Sequence, residues 1–178
     1  MTHLLIDFSG NHPLTIMNPL LFPYPQEAPE WSVSEWFNTP EPITLASLRG
    51  RVVVLHAFQM LCPGCVLHGV PQTSRLFQFF DPKDVAVIGL HSVFENHAAM
   101  KPDALKVFMH EFRVKFPVGV DTAGIANRIP VTMQRYQLRG TPSLLLIDRA
   151  GRLRSHKMGQ VEDLAVGAAI QQLIDETF

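Results

Sequence analysis

The sequence predicts an α/β domain built on a mixed sheet flanked by helices, and three observations carry that reading. Val52-Val53-Val54-Leu55, VAVIGL (85–90) and LLLI (144–147) are continuous β-branched and aliphatic runs. Such runs fit strands buried on both faces rather than half-buried ones, which would alternate. Helical patterns lie between the runs, and strands alternating with helices make a layered α/β fold. The turn-forming DRAGR (148–152) joins LLLI to LRSHKM, so the last two strands are expected to form an antiparallel hairpin.

Taken in order, residues 1–30 read as an irregular extension. Pro13, Pro19, Pro23, Pro25 and Pro29 forbid long helices and central strands there. The domain proper is expected over 31–178. WSVSEWF (31–37) alternates weakly, as an edge strand does, and NTPEP closes it. ITLASLRG then ends in a glycine before the first apolar run. Residues 63–80 predict a helix, with Pro71 inside it as a kink. Pro102 suits a first helical turn, and Leu105, Phe108, Met109 and Phe112 follow the i, i+3, i+4, i+7 stripe. Val161, Leu164, Ala165, Ala168 and Leu173 predict the inward face of a C-terminal helix.

At 178 residues the chain suits one domain with a sizeable core. A net charge of −1 without a local Lys/Arg cluster argues against nucleic acid as a partner. No run approaches the roughly 18 apolar residues of a membrane helix, so no membrane partner is expected. The N-terminus lacks a basic flank, and Asp7, Asn11 and Pro13 interrupt its apolar stretches. It does not read as a signal peptide, and the expectation is a cytoplasmic location. In that compartment a CxxC pair is more often catalytic or metal-bound than structural.

Cys62 and Cys65, the only two cysteines, stand in FQMLCPGC directly after the first apolar run. That places Cys62 at a strand-to-helix junction, where free amides and the positive end of the helix dipole stabilise a thiolate. Cys65, one turn later, is expected to be more buried and to resolve a mixed disulfide. Pro63 lacks an N–H, so the amides of Gly64 and Cys65 are the expected donors to Cys62, and the Pro-Gly order is expected to favour the thiolate. Two other readings stand beside this one. A zinc site needs about four ligands and could draw on His68, His91 or His97, whose spacing matches no compact finger. A structural disulfide over so short a loop would constrain the unfolded chain little.

The second landmark is YQLRGTP (136–142), leading into the run at 144–147. CxxC behind a strand, then G-T-P opening a later strand, then L-I-D-x-x-G, together resemble the thioredoxin-like superfamily. The pattern ITLASLRGRVVVLHAF and the extra segment at about 91–117 make the chain more similar to the TlpA-like and alkyl-hydroperoxide-reductase/thiol-specific-antioxidant (redoxin) branch. The resemblance covers roughly residues 31–178 and implies a thioredoxin-like fold with an N-terminal extension and an insertion between sheet strands. It implies that Cys62 attacks and Cys65 resolves. Pro142 becomes a cis-proline facing the pair, and Thr141 offers backbone pairing to a substrate chain. Glu95 falls loosely where some TlpA-like proteins place an acid that serves the site; a solvated loop glutamate is the other reading. His56 replaces the buried acid that small thioredoxins carry six residues before the first cysteine. It reads as a proton relay of near-neutral pKa or as a satisfied core residue. Leu61 replaces the usual aromatic neighbour, so Met60-Leu61 would form a soft apolar rim. Pro71 lies one residue later than the usual kinking proline.

The function these features imply is thiol–disulfide exchange, acting on protein or small-molecule thiols and disulfides with a reductant the sequence does not name. It needs no organic cofactor and no metal. A peroxiredoxin-like thiol peroxidase is the alternative. That family carries Thr or Ser three residues before the attacking cysteine, where this chain has Gln59; Arg139 would match its second donor. A metal-binding module on the same fold is the third.

Overall fold

The computed structural model describes residues 18–125 and 129–177. Seven strands form one sheet: β1 (Gln26–Glu27), β2 (Val33–Phe37), β3 (Val52–Phe58), β4 (Val85–His91), β5 (Val118–Asp121), β6 (Ser143–Ile147) and β7 (Arg152–Met158). Their spatial order is β1-β7-β6-β3-β4-β5-β2. β3, β4 and β5 run parallel; β6 lies antiparallel to β3, and β7 antiparallel to β6. The sheet is therefore mixed, and the DRAGR turn closes the expected hairpin. β2 holds one edge against β5, with a register shift between Val33 and Glu35. Of the N-terminal extension, residues 1–17 lie outside the described residues. Its remainder supplies two residues of strand at the opposite edge and puts Leu21 into the core.

The sheet is buried on both faces because β3 alternates between two apolar layers. Val53, Leu55 and Ala57 join Leu45, Ile88, Leu145 and Tyr136 on one side. Val52 and Val54 join Val87, Leu144, Leu146 and the helix α4 (Asp163–Asp175) on the other. A third cluster gathers Phe58 and Cys65 with Leu105, Phe108 and Met109 of α2 (Pro102–Glu111), the helix crossing from β4 to β5. Truncating any fully buried member of these layers, such as Leu145, costs about 2–5 kcal/mol in comparable cores.

Three helix expectations change in detail. The buried face of α4 is Val166, Ala169, Ile170 and Leu173, whereas Leu164 is 90% exposed and Ala168 faces solvent. LAVGAAI is apolar around most of its circumference, so periodicity alone does not select a face. On α2, Phe112 is half-exposed and stacks on Phe108 rather than entering the core. Helix 63–80 is not uniform: a π-helical turn at Cys65–Gly69 precedes α1 (Val70–Phe79). Pro71 thus falls in the first turn of α1, where its missing N–H disturbs least, and the irregularity sits before it.

Two segments the sequence reading left unassigned position the later landmark. β5 ends at Asp121, and the short helix α3 (Val131–Arg135) follows. The buried Asp121 carboxylate accepts from the amides of Thr132 (2.8 Å) and Met133 (3.0 Å) and from the Ser92 hydroxyl (2.9 Å). Burial raises its pKa while these hydrogen bonds oppose the rise. This link ties α3, and the chain leading to Thr141, to the ends of β4 and β5.

Candidate active site

The site forms where β3 ends. Its chain continues through the buried Gln59 and Met60, turns by a Cys62 amide to Gln59 carbonyl bond of 3.1 Å, and enters the helix at Pro63. The Val66 amide reaches the Cys62 carbonyl at 3.0 Å, which fixes Cys62 at the helix N-terminus as expected. Both cysteines are free; Cys62 is partly exposed, and Cys65 is fully buried among Phe58, Val70 and Met60.

The Cys65 amide donates to Cys62 Sγ at 3.3 Å, and that thiol donates to the Thr141 carbonyl at 3.4 Å. The Thr141–Pro142 peptide bond is cis, and the pair faces the cysteines. Among the described residues no Gly64 amide bond to Cys62 accompanies that of Cys65. The expected role of Gly64 as a donor is therefore replaced by one of close approach. A Cβ at position 64 would sit 3.3 Å from Pro142 Cδ, tighter than ordinary packing. Exchanging Pro63 and Gly64 would leave the Cys65 donor in place and crowd Pro142 instead.

Burial pushes the Cys65 thiol up to about 12; the Cys62 side chain adds to the rise, while the Gln59 backbone and the Thr141 side chain oppose it. The two sulfurs therefore differ sharply in their access to water.

His56 lies on β3 with 2% of its surface exposed, and neither ring nitrogen has a hydrogen-bond partner. Its ring packs against Gly69 so closely that a Cβ there would come within 2.4 Å of Cε1 and Nε2. It also borders a cavity of about 60 Å³ shared with Gln72, Pro142 and Gly159. Desolvation lowers its pKa to about 4, which corrects the near-neutral expectation. At neutral pH this imidazole is uncharged, and its basicity is far below that of the Cys65 thiolate. The Phe58 ring lies 6.0 Å from that of His56 and 5.4 Å from that of His91. His91 Nε2 accepts from the Met60 amide at 3.4 Å, and burial lowers its pKa to about 4 as well.

Gln59 has a use the sequence did not suggest. Its Oε1 accepts from the Phe94 amide at 3.2 Å and its Nε2 donates to Glu95 Oε1 at 3.5 Å. The amide is thus occupied in holding the loop after β4, and it brings the exposed Glu95 beside the residues that precede Cys62. A buried amide facing an acid 36 positions away leaves no local sequence signal. Arg139 lies exposed just before Gly140-Thr141-Pro142. Among the described residues no group of three or more His, Cys, Asp or Glu side chains is gathered to hold a metal ion. His91 is spent on the Met60 amide instead.

A parallel strand leading to a partly exposed cysteine at a helix N-terminus, a buried partner sulfur and a cis-proline loop facing both define a thioredoxin-like oxidoreductase. A family model for Redoxin matches residues 25–170, and the chain belongs to that family. A thioredoxin-like superfamily protein known from its crystal structure is 55% identical over 85% of this chain and 98% of its own, with a TM-score of 0.84. A thiol-disulfide isomerase from Corynebacterium glutamicum is 52% identical over 84% of this chain and 98% of its own, with a TM-score of 0.80. Protein DipZ of Mycobacterium tuberculosis is 28% identical over 147 residues, which cover 81% of this chain and 20% of that protein. The chain thus spans about a fifth of the length of the curated relative it matches there.

Proposed function

We propose that the protein exchanges thiols and disulfides through a mixed disulfide on Cys62. The observation that carries this reading is the asymmetry of the pair: Cys62 is open to solvent beside the Thr141 carbonyl, while Cys65 is buried with its thiol held protonated. The Cys62 thiolate attacks a substrate disulfide, one S–S bond breaks as another forms, and the first substrate sulfur leaves as a thiolate. Cys65 then gives up its proton and attacks Cys62 Sγ. The mixed bond breaks, the Cys62–Cys65 disulfide forms, and the second substrate sulfur leaves and takes up a proton. In the opposite direction the same steps deliver a disulfide to a dithiol. The Cys65 amide 3.3 Å from Cys62 Sγ supports the charge on the attacking sulfur.

Thr141 supports the binding half of the cycle. Among the described residues its N–H has no backbone partner, and its carbonyl accepts from the Cys62 thiol. An extended substrate backbone can bond there as a strand would. Gln59 supplies no hydroxyl to a peroxide and is held by Phe94 and Glu95, so nothing at this position favours peroxidase chemistry.

The test is a Cys65→Ser variant. It is expected to stop at the mixed disulfide and to accumulate a species linked through Cys62, whereas Cys62→Ser is expected to lose exchange by three orders of magnitude or more. A Cys65→Ser protein that turns over at the wild-type rate without a trapped adduct would defeat the proposal.

A further inference from the structure

α1 and α4 lie on the same face of the sheet, where Leu76 of α1 shares a core cluster with Val166, Ala169 and Ile170 of α4. An ion pair of 2.8 Å between Arg75 and Asp163 joins the two helices. Beside that pair runs an open groove of about 740 Å³, lined by Leu76, Phe79 and Phe80 from α1 and its end and by Leu164, Gly167 and Ala168 from α4. Nothing among the described residues covers it: Phe79 is 81% exposed and Leu164 is 90% exposed. Single exposed apolar side chains are ordinary, but an apolar groove shared by two helices marks a place where something docks.

The first described residues lead toward this groove. The Phe22 amide donates to the Arg154 carbonyl on β7 at 2.6 Å, and the Ser155 hydroxyl donates to the Leu20 carbonyl at 2.7 Å. Leu21 is buried in the cluster that α4 covers. The Asn18 amide then donates to Gln172 Oε1 at 3.2 Å, and its Nδ2 donates to the Ala165 carbonyl at 3.3 Å. Followed toward the N-terminus, the chain therefore leaves the sheet at β7 and mounts one flank of α4. Going round that helix from Ala165 and Gln172, the next side chains are Ala168 and Leu164, and beyond them lies the groove. The sequence before Asn18 holds Leu4-Leu5-Ile6 and Phe8, with Asp7 as its one charged residue of the Asp, Glu, Lys and Arg set. Phe8 stands ten positions before Asn18. Ten residues reach about 33–36 Å when extended, and a helix with its side chains is about 10–12 Å across, so the length suffices.

We propose that the groove between α1 and α4 is the docking site of the chain's own N-terminal segment, with Leu4, Leu5, Ile6 and Phe8 laid against Phe79 and Leu164. Attachment at Asn18 makes this docking intramolecular, which favours it over a separate partner of the same chemistry. The inference is independent of the exchange reading.

Full-length variants test it. Leu164→Gln changes the groove at a side chain the described residues leave exposed and adds no charge to the start of α4. It is expected to lower the urea midpoint of unfolding in the wild-type background and to leave it unmoved in a Leu5→Asp/Phe8→Asp background, since both changes remove the same contact. Limited chymotrypsin digestion reads the segment directly. Cleavage after Phe8 is expected to be about tenfold faster in Leu164→Gln than in the wild type, because proteolysis follows the population of the undocked form. Both effects should be independent of protein concentration. An unchanged midpoint, unchanged cleavage after Phe8, or the same midpoint loss in both backgrounds would overturn the inference. A wild-type dimer in sedimentation that Leu164→Gln dissociates and Leu5→Asp/Phe8→Asp does not would give the groove to a second copy and overturn it as well.

Discussion

The two ends of the sheet are built on opposite principles. At the end where β6 turns into β7, a buried carboxylate gathers many partners, although Arg154 Nε has none. Asp148 accepts from the Ala150 and Arg152 amides, at 3.1 and 2.8 Å, and from the Arg152 and Arg154 side chains. Arg154 continues to Glu176 at the end of α4, and Arg149 donates to the Gly50 and Ile174 carbonyls. At the other end, Arg139, Lys157 and Glu95 stand outside any ion pair among the described residues, and Leu61, Leu67 and Met158 are exposed. One end closes the fold on itself. The other has internal bonds too, from Phe94 to Gln59, Gln59 to Glu95 and Met60 to His91, but it leaves Arg139 and Lys157 outside any ion pair among the described residues.

The sharpest way to break this contrast is Asp148→Ala. It removes a buried anion that serves two amides and two guanidinium groups, and breaking such a network costs about 3–5 kcal/mol. Denaturant unfolding should show that loss, while the folded fraction should react with dithiodipyridine at the wild-type rate. A variant that keeps its stability would show that the closed end does not carry the fold.

Next in size is an acid effect centred on the boundary between the site and the core. His56 and His91 have pKa values lowered by burial from 6.5 to about 4, so the unfolded chain binds more protons than the folded one between those values. Stability is therefore full above pH 6.5, falls as pH drops toward 4, and levels below that. At 1.36 kcal/mol per unit, each ring contributes a loss of up to ~3 kcal/mol. Unfolding free energies measured across this window should fall less steeply in His56→Leu than in the wild type. Parallel curves would show that His56 is not held neutral.

Smaller still is Gly69→Ala. The added methyl group meets the His56 ring at 2.4 Å, and overpacking of this kind costs about 1–3 kcal/mol. A Gly69→Ala/His56→Ala double variant should recover part of that loss in a double-mutant cycle, since the ring that the methyl strikes is gone. Additive losses would place the strain elsewhere.

The parts of this picture that were legible in the sequence are those written locally. VVVL, VAVIGL and LLLI signal doubly buried strands because both faces demand apolar residues, and CPGC and GTP place a cysteine at a helix start and a cis-proline loop beside it within a few positions each. The face of α4 is not legible in the sequence because Leu164, Val166 and Ala168 are all apolar; packing against β3 and β6, not composition, decides which of them is covered. Gln59 shows in the sequence only the hydroxyl it lacks, because its partners, Phe94 and Glu95, are 35 and 36 residues away. The depressed His56 pKa has a similar cause. A histidine in a strand titrates normally or not according to what covers it, and here Gly69, 13 positions later, lets a helix close over the ring.

The burial of Cys65 has one more consequence. Whatever comes from solvent, whether oxidant, reductant or metal ion, meets one sulfur and reaches the second only through the first. In the exchange proposed above, the pair would therefore work in series: two electrons would be stored behind a single terminal, and the identity of whatever touches that terminal would decide which way they flow.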